Sequence, residues 1–139
     1  MTTLPKKTLK THHAALKVTD FDKSLCFYTK GLGMKLLKTW GETDSRAAML
    51  DIGDGSCIEM FAGGKQGELN DNCAGSFIHF AFDVENPDEW YERAISCGGS
   101  SKSAPTDMYL ETSADPLDIR VAFVFGPDGE TLEFFHSKR

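Results

Sequence analysis

Between Thr11 and Val18 apolar and polar positions alternate. Ala14, Leu16 and Val18 fall on one face of a strand, and His13, Ala15 and Lys17 on the other. The period then lengthens. Phe21, Leu25, Tyr28 and Leu32 recur at helical spacing behind Asp20 or Asp22 as a cap, and Gly31 and Gly33 close the segment, so a helix is expected over about 22–30. A strand over 34–40 and a turn at 41–44 follow. Two more strands between Arg46 and Ala62 are joined at Asp54-Gly55, a strong hairpin signal. Residues 63–76 are polar and read as a joining loop. The same order then returns. Residues 77–84 alternate, with Phe80, Phe82 and Val84 opposite His79, Ala81 and Asp83. Asn86-Pro87-Asp88-Glu89 starts a helix near 87–97, with Trp90, Ala94 and Ile95 as its buried stripe and Gly98-Gly99 as its end. Residues 100–118, with prolines at 105 and 116, read as irregular, a strand plus a loop over the cleft. A last hairpin ends in TLEFF.

The repetition is literal. RAAMLDIGDGSCIEMF, starting at Arg46, aligns without a gap on RVAFVFGPDGETLEFF, starting at Arg120. Asp54-Gly55 meets Asp128-Gly129, Glu59 meets Glu133, and Phe61 meets Phe135. Upstream, His13 opens HAALKV and His79 opens HFAFDV. The chain is thus two β-α-β-β-β halves, each with one histidine and one glutamate in matching places. Each glutamate sits inside an apolar strand, where a carboxylate is costly to bury unless it is paired or bound to a metal. By strand parity all four residues leave the helix-facing side marked by Leu16, Val18, Ile58, Met60, Leu132 and Phe134. Two imidazoles and two carboxylates converging from related halves make an N2O2 set suited to nickel, zinc, cobalt, manganese or iron(II), with open positions for water and substrate. His12 points away by alternation and reads as a surface or core-edge residue. His136, past the last strand and without a counterpart, reads as structural or solvated.

Composition narrows the class. The 139 residues, 40% of them hydrophobic, suit one compact unit with a real core. A net charge of −6 and the lack of a basic run exclude a nucleic-acid partner. No secretory signal and no membrane-spanning apolar run is visible, so a cytoplasmic protein is expected. Cys26, Cys57, Cys73 and Cys97 form no C-x-x-C pair and read as reduced thiols, most of them small core residues.

HHAALKVTDFDKSLCFYTKGLGMKLLKTW, IEMF, HFAFDV and GPDGETLEFF, covering Thr11 to Phe135, resemble the vicinal oxygen chelate superfamily. That group holds glyoxalase I, bleomycin-resistance proteins, extradiol dioxygenases and methylmalonyl-CoA epimerase, and FYTKGLGMKLL looks most like glyoxalase I. The resemblance implies an α+β fold, with two paired βαβββ modules forming a curved mixed sheet around a metal-binding cleft. It implies one domain over 11–139, with modules at about 11–63 and 76–136 and an N-terminal arm over 1–10. It also implies a divalent metal held by His13, Glu59, His79 and Glu133, from one chain or from both chains of a homodimer. Lys17 stands where glyoxalase I has an arginine for the glutathione carboxylate, and Gly63 where it has an asparagine that also contacts glutathione. Lys17 is therefore the candidate substrate-binding residue, and glutathione the candidate co-substrate.

The reading that follows is a metal-dependent lyase or isomerase of the glyoxalase type, acting on a small oxygen-chelating substrate. Glu133 is the first choice for the catalytic proton carrier and Glu59 the second. A dioxygenase fits less well, because that chemistry uses two histidines and one carboxylate. The alternative is a metal-independent protein that sequesters a small molecule such as an antibiotic, with Trp40, Phe61, Tyr109 and Phe135 available to line its cleft.

Overall fold

The computed structural model describes residues 9–67, 72 and 74–139. Most of the expected arm, part of the joining loop and Cys73 lie outside the described residues. The first half contains β1 (His13–Lys17), α1 (Phe21–Cys26), β2 (Lys35–Trp40), β3 (Ala47–Asp51) and β4 (Cys57–Phe61). The second contains β5 (Phe80–Asp83), α2 (Pro87–Ser96), β6 (Ser100–Leu110), β7 (Leu117–Phe125) and β8 (Thr131–Ser137). Each half forms a four-stranded mixed sheet, ordered β1-β4-β3-β2 and β5-β8-β7-β6. The fold is α+β, with two βαβββ modules of the same topology.

The registers reproduce the repeat. β1 runs parallel to β4 with Ala15 opposite Glu59, and β5 runs parallel to β8 with Ala81 opposite Glu133. A parallel pair needs a crossover, and α1 or α2 supplies part of it. The Asp-Gly turns fall at equivalent places. In the first, Ile52 N–H donates to Ser56 O at 3.0 Å; in the second, Gly126 N–H donates to Glu130 O at 2.8 Å. Gly55 and Gly129, at φ +92° and +84°, take the left-handed conformation that such turns require.

Helix starts follow the expected chemistry. The Asp20 carboxylate accepts from Lys23 N–H at 3.1 Å, which settles the cap in favour of Asp20, and Asn86 accepts from Glu89 N–H at 3.3 Å. α1 ends earlier than its apolar spacing suggests. It runs into a π-helical turn over Phe27–Gly31, closed by Leu32 N–H on Phe27 O at 3.0 Å. This wider turn keeps Phe27 and Tyr28 buried while Gly31 meets the end of α2. A Cβ at Gly31 would lie 2.9 Å from Cys97 Cβ, so the two helices touch backbone to side chain.

One core joins the modules. Val18, Phe27, Tyr28, Leu50, Ile58 and Met60 from the first half pack with Ala94, Ala122, Val124, Leu132 and Phe134 from the second. Polar contacts tie the seam. Tyr28 Oη donates to Glu130 Oε2 at 2.6 Å, Glu130 Oε1 accepts from Asp128 N–H at 2.9 Å, and Thr19 N–H reaches Asp128 at 3.2 Å. Arg93 Nε donates to Gly31 O at 3.2 Å.

The strand expected within residues 100–118 is β6, whose register shifts around Ser103 absorb Pro105, and residues 111–116 form the loop that follows it. Two local expectations change. His136 lies inside β8, where its Nδ1 stands 3.1 Å from Val84 O. Of the described cysteines only Cys57 is buried, since Cys26 and Cys97 sit at the exposed last turns of their helices.

Candidate metal centre

The parallel pairing sets the site chemistry. A histidine at the start of β1 and a glutamate in the middle of β4 share the sheet face away from α1, because each lies an even number of residues from the Ala15–Glu59 pair. His13 Nε2 stands 3.6 Å from Glu59 Oε1. In the second half His79, just before β5, places Nε2 3.3 Å from Glu133 Oε1. Both separations exceed a normal N–H···O hydrogen bond. Both are close to the spacing of two ligands on one ion: bonds of roughly 2.0–2.2 Å put neighbouring donors about 3–3.5 Å apart. The nitrogen and oxygen donors suit a first-row divalent ion. Each pair therefore fits half of a metal site.

The surroundings differ between the halves. The side chains of Glu59 and Glu133 are 20% and 12% exposed, and those of His13 and His79 are 39% and 35% exposed. His79 lies edge-on to Phe123, with ring centroids 5.7 Å apart. Phe123 is the neighbour of Glu133 across β7 and β8, and the matching neighbour of Glu59 is Met49. Trp40 and Phe61 meet edge to face at 6.4 Å on the first sheet, and Trp40 is 41% exposed.

The four residues do not meet within one chain. Among the described residues no three histidine, cysteine or acidic side chains gather closely enough to hold an ion. The structure brings His13 to Glu59 and His79 to Glu133, and leaves the two pairs separate. A cleft of about 1090 Å³ runs between the edge strands β1 and β5, and both histidines line it. Its walls are largely apolar, from Leu16, Ile58, Phe80 and Leu132.

Lys17 is exposed at the end of β1 and makes no ion pair among the described residues. Gly63 cannot stand in for an asparagine. Its φ is +81°, and a Cβ there would lie 2.8 Å from Asp44 O. Tyr109, 54% exposed, packs under the guanidinium of Arg139.

Sequence reasoning passed over Lys102 and misjudged the direction of His12. Lys102 lines the cleft, where its Nζ donates to Thr131 Oγ1 at 3.2 Å and lies over the Phe125 ring. Its only signal is being a lysine in a serine-rich stretch, which is too weak to use. His12 does not turn away from the site: its Nδ1 is 2.8 Å from His13 Nδ1. It precedes β1, so strand alternation does not govern it.

Comparison with known proteins agrees with this architecture. The model of the Glyoxalase/Bleomycin resistance protein/Dioxygenase superfamily matches residues 10–134. The lactoylglutathione lyase of Salmonella typhimurium is 30% identical over 134 residues, covering 91% of each chain. The crystal structure of a glyoxalase family protein from Enterococcus faecalis superposes with a TM-score of 0.70 at 21% identity, covering 91% of this chain and 96% of that one. The fosfomycin resistance protein FosX of Listeria monocytogenes does so with 0.68 at 19% identity, covering 95% and 96%. Topology, the repeated histidine–glutamate pairs and these matches agree: the chain belongs to the glyoxalase/bleomycin resistance/dioxygenase superfamily.

Proposed function

We propose that this chain is a metal-dependent lyase or isomerase of the glyoxalase type that works as a homodimer in the cytoplasm. In this reading the His13–Glu59 pair of one copy faces the His79–Glu133 pair of the other. The carrying observation is that each pair has the spacing of adjacent ligands while the chain keeps the pairs apart. A two-fold contact between copies completes two equivalent sets of four.

A divalent ion held there would supply Lewis acidity, stabilising negative charge that develops on a substrate oxygen. The two imidazoles would hold it by neutral nitrogen. Glu133 also takes and returns a proton at a substrate carbon, and its low exposure keeps bulk water from competing. Glu59 is the second candidate for that role. Lys17 offers a point charge to a substrate anion, without the two-pronged geometry of an arginine. Phe123 shields the His79–Glu133 pair from one side.

Glutathione is one of several thiol carriers to test, since Gly63 packs against Asp44 where an asparagine contact would be needed. Elemental analysis of the purified protein, followed by chelation and re-addition of nickel, cobalt or zinc, tests the reading. Glutathione hemithioacetals should be assayed beside other thiol adducts and acyl-CoA substrates. Metal in the protein, activity lost with it and restored with it, is the expected result. The apolar cleft between β1 and β5 favours a second reading, sequestration of a small molecule. Tight ligand binding that survives both chelation and Glu133→Gln would replace the enzyme with a binder.

A further inference from the structure

We propose that His12 is a positioning residue for His13: it fixes the tautomer in which Nδ1 carries the proton and Nε2 offers its lone pair to the ion. The inference rests on the reading above, in which His13 is a ligand through Nε2.

The two nitrogens of His13 have different neighbours. Nε2 faces Glu59 Oε1 at 3.6 Å, and Nδ1 lies 2.8 Å from Nδ1 of His12. Two ring nitrogens that close share one proton, so one donates and the other accepts. If His13 Nδ1 were the acceptor, the proton of its neutral ring would sit on Nε2 and block coordination. With His13 Nδ1 as donor, Nε2 is bare on the side of Glu59, and His12 carries its own proton on Nε2. The rings meet nearly at right angles, 82°, with centroids 5.1 Å apart. A ligand histidine held through its other nitrogen is fixed in both orientation and tautomer.

The second half lacks this device. The place of His12 is taken by Ile78, which is half exposed. His79 has no hydrogen bond at its other nitrogen among the described residues, and the edge of Phe123 holds its ring instead. The repeat therefore orients one ligand by a hydrogen bond and the other by packing. Alternation along β1 hides this in the sequence, because His12 looks as if it faces away.

The test measures metal affinity, not turnover. His12→Phe keeps a ring but removes the acceptor. His12→Asn keeps an acceptor oxygen at similar reach. Dissociation constants for zinc and nickel are measured on the full-length protein by competition with a chromophoric chelator. His12→Phe should weaken binding by about 10–100-fold, and His12→Asn should stay within a few-fold of wild type. In the zinc-loaded protein, two-bond ¹H–¹⁵N NMR correlations should show His13 protonated at Nδ1. Wild-type affinity in His12→Phe, or a proton on Nε2 of His13, overturns the proposal and leaves the metal reading standing. A wild-type protein that binds neither ion overturns both.

Discussion

Glu59 and Glu133 occupy the same place in two copies of one strand, yet Glu133 is the drier of the two. Its neighbour across the sheet is Phe123, whose ring also covers His79, whereas Glu59 has Met49. A proton carrier belongs where the substrate displaces water most fully, and that favours Glu133. Glu133→Gln keeps the shape and one oxygen but loses the charge. Turnover should fall by roughly 10² or more, with metal content reduced only modestly because three ligands remain. The pair of measurements, kcat and bound metal, separates a proton carrier from a ligand. If kcat falls only in proportion to lost metal, Glu133 is a ligand and nothing more, and Glu59→Gln becomes the next variant to assay. That each histidine lies beside its glutamate was legible in the sequence, because duplication repeats the pair and strand parity fixes its side. His12 was not, because a hydrogen bond between adjacent residues leaves no periodic trace.

At the level of elements, the seam between modules rests on the π-helical turn after α1. Tyr28 is fully buried there and donates a hydrogen bond from its hydroxyl to Glu130. Tyr28→Phe should cost about 1.5–3 kcal/mol, the range for a hydrogen bond to a charged group, read from urea unfolding. Burial first, and the Glu130 carboxylate second, push the Tyr28 phenol well above its ordinary value. A raised value in the folded state means that the neutral phenol is the form the fold prefers. The associated stability is complete below about pH 10 and declines as pH climbs from there toward the folded value. The wild-type unfolding midpoint should therefore drop above pH 10 more steeply than that of Tyr28→Phe, and absorbance near 295 nm should show one tyrosine that ionises only on unfolding. Gly31 marks the same seam from the other side. Gly31→Ala should destabilise by about 1–3 kcal/mol. Adding Cys97→Ala should not rescue it, because the contact is with Cβ, whereas Cys97→Gly should relieve it. Helical spacing located α1, since Phe21, Tyr28 and Leu32 all bury as expected. The π turn was invisible, because it answers to a contact with α2 far along the chain. The strand and loop expected over 100–118 are both present, but the length of β6 was not legible, because its long antiparallel partner β7 holds the strand through its shifts of register.

At the scale of the whole molecule, the proposed four-ligand site makes a sharp demand on assembly, because one chain keeps its two histidine–glutamate pairs apart. Take one variant lacking His13 and Glu59, and another lacking His79 and Glu133. Each alone should be inactive. Mixed after reversible dissociation, they should recover about a quarter of wild-type activity, because about half of the dimers are mixed and each of those has one complete site. Recovery of nothing, with mixed dimers demonstrated by mass, would place each site within one chain. Sequence symmetry pairs each histidine with its glutamate, but it does not fix how far apart the two pairs lie, since that depends on how the two modules pack on each other. The two Asp-Gly turns show what duplication left free to change. Around Asp54 the turn is satisfied from within: the carboxylate accepts from the amide and hydroxyl of Ser56 at 2.9 and 2.6 Å. Around Asp128 the same turn reaches across to Thr19 and, through Glu130, to Tyr28. One turn thus fastens the halves, while its twin, among the described residues, hydrogen-bonds only within itself. A tag or an extra domain grafted at Asp54-Gly55 should be carried without loss of the fold, while the same graft at Asp128-Gly129 should unlatch the halves: two turns alike in sequence and in place bear unequal loads.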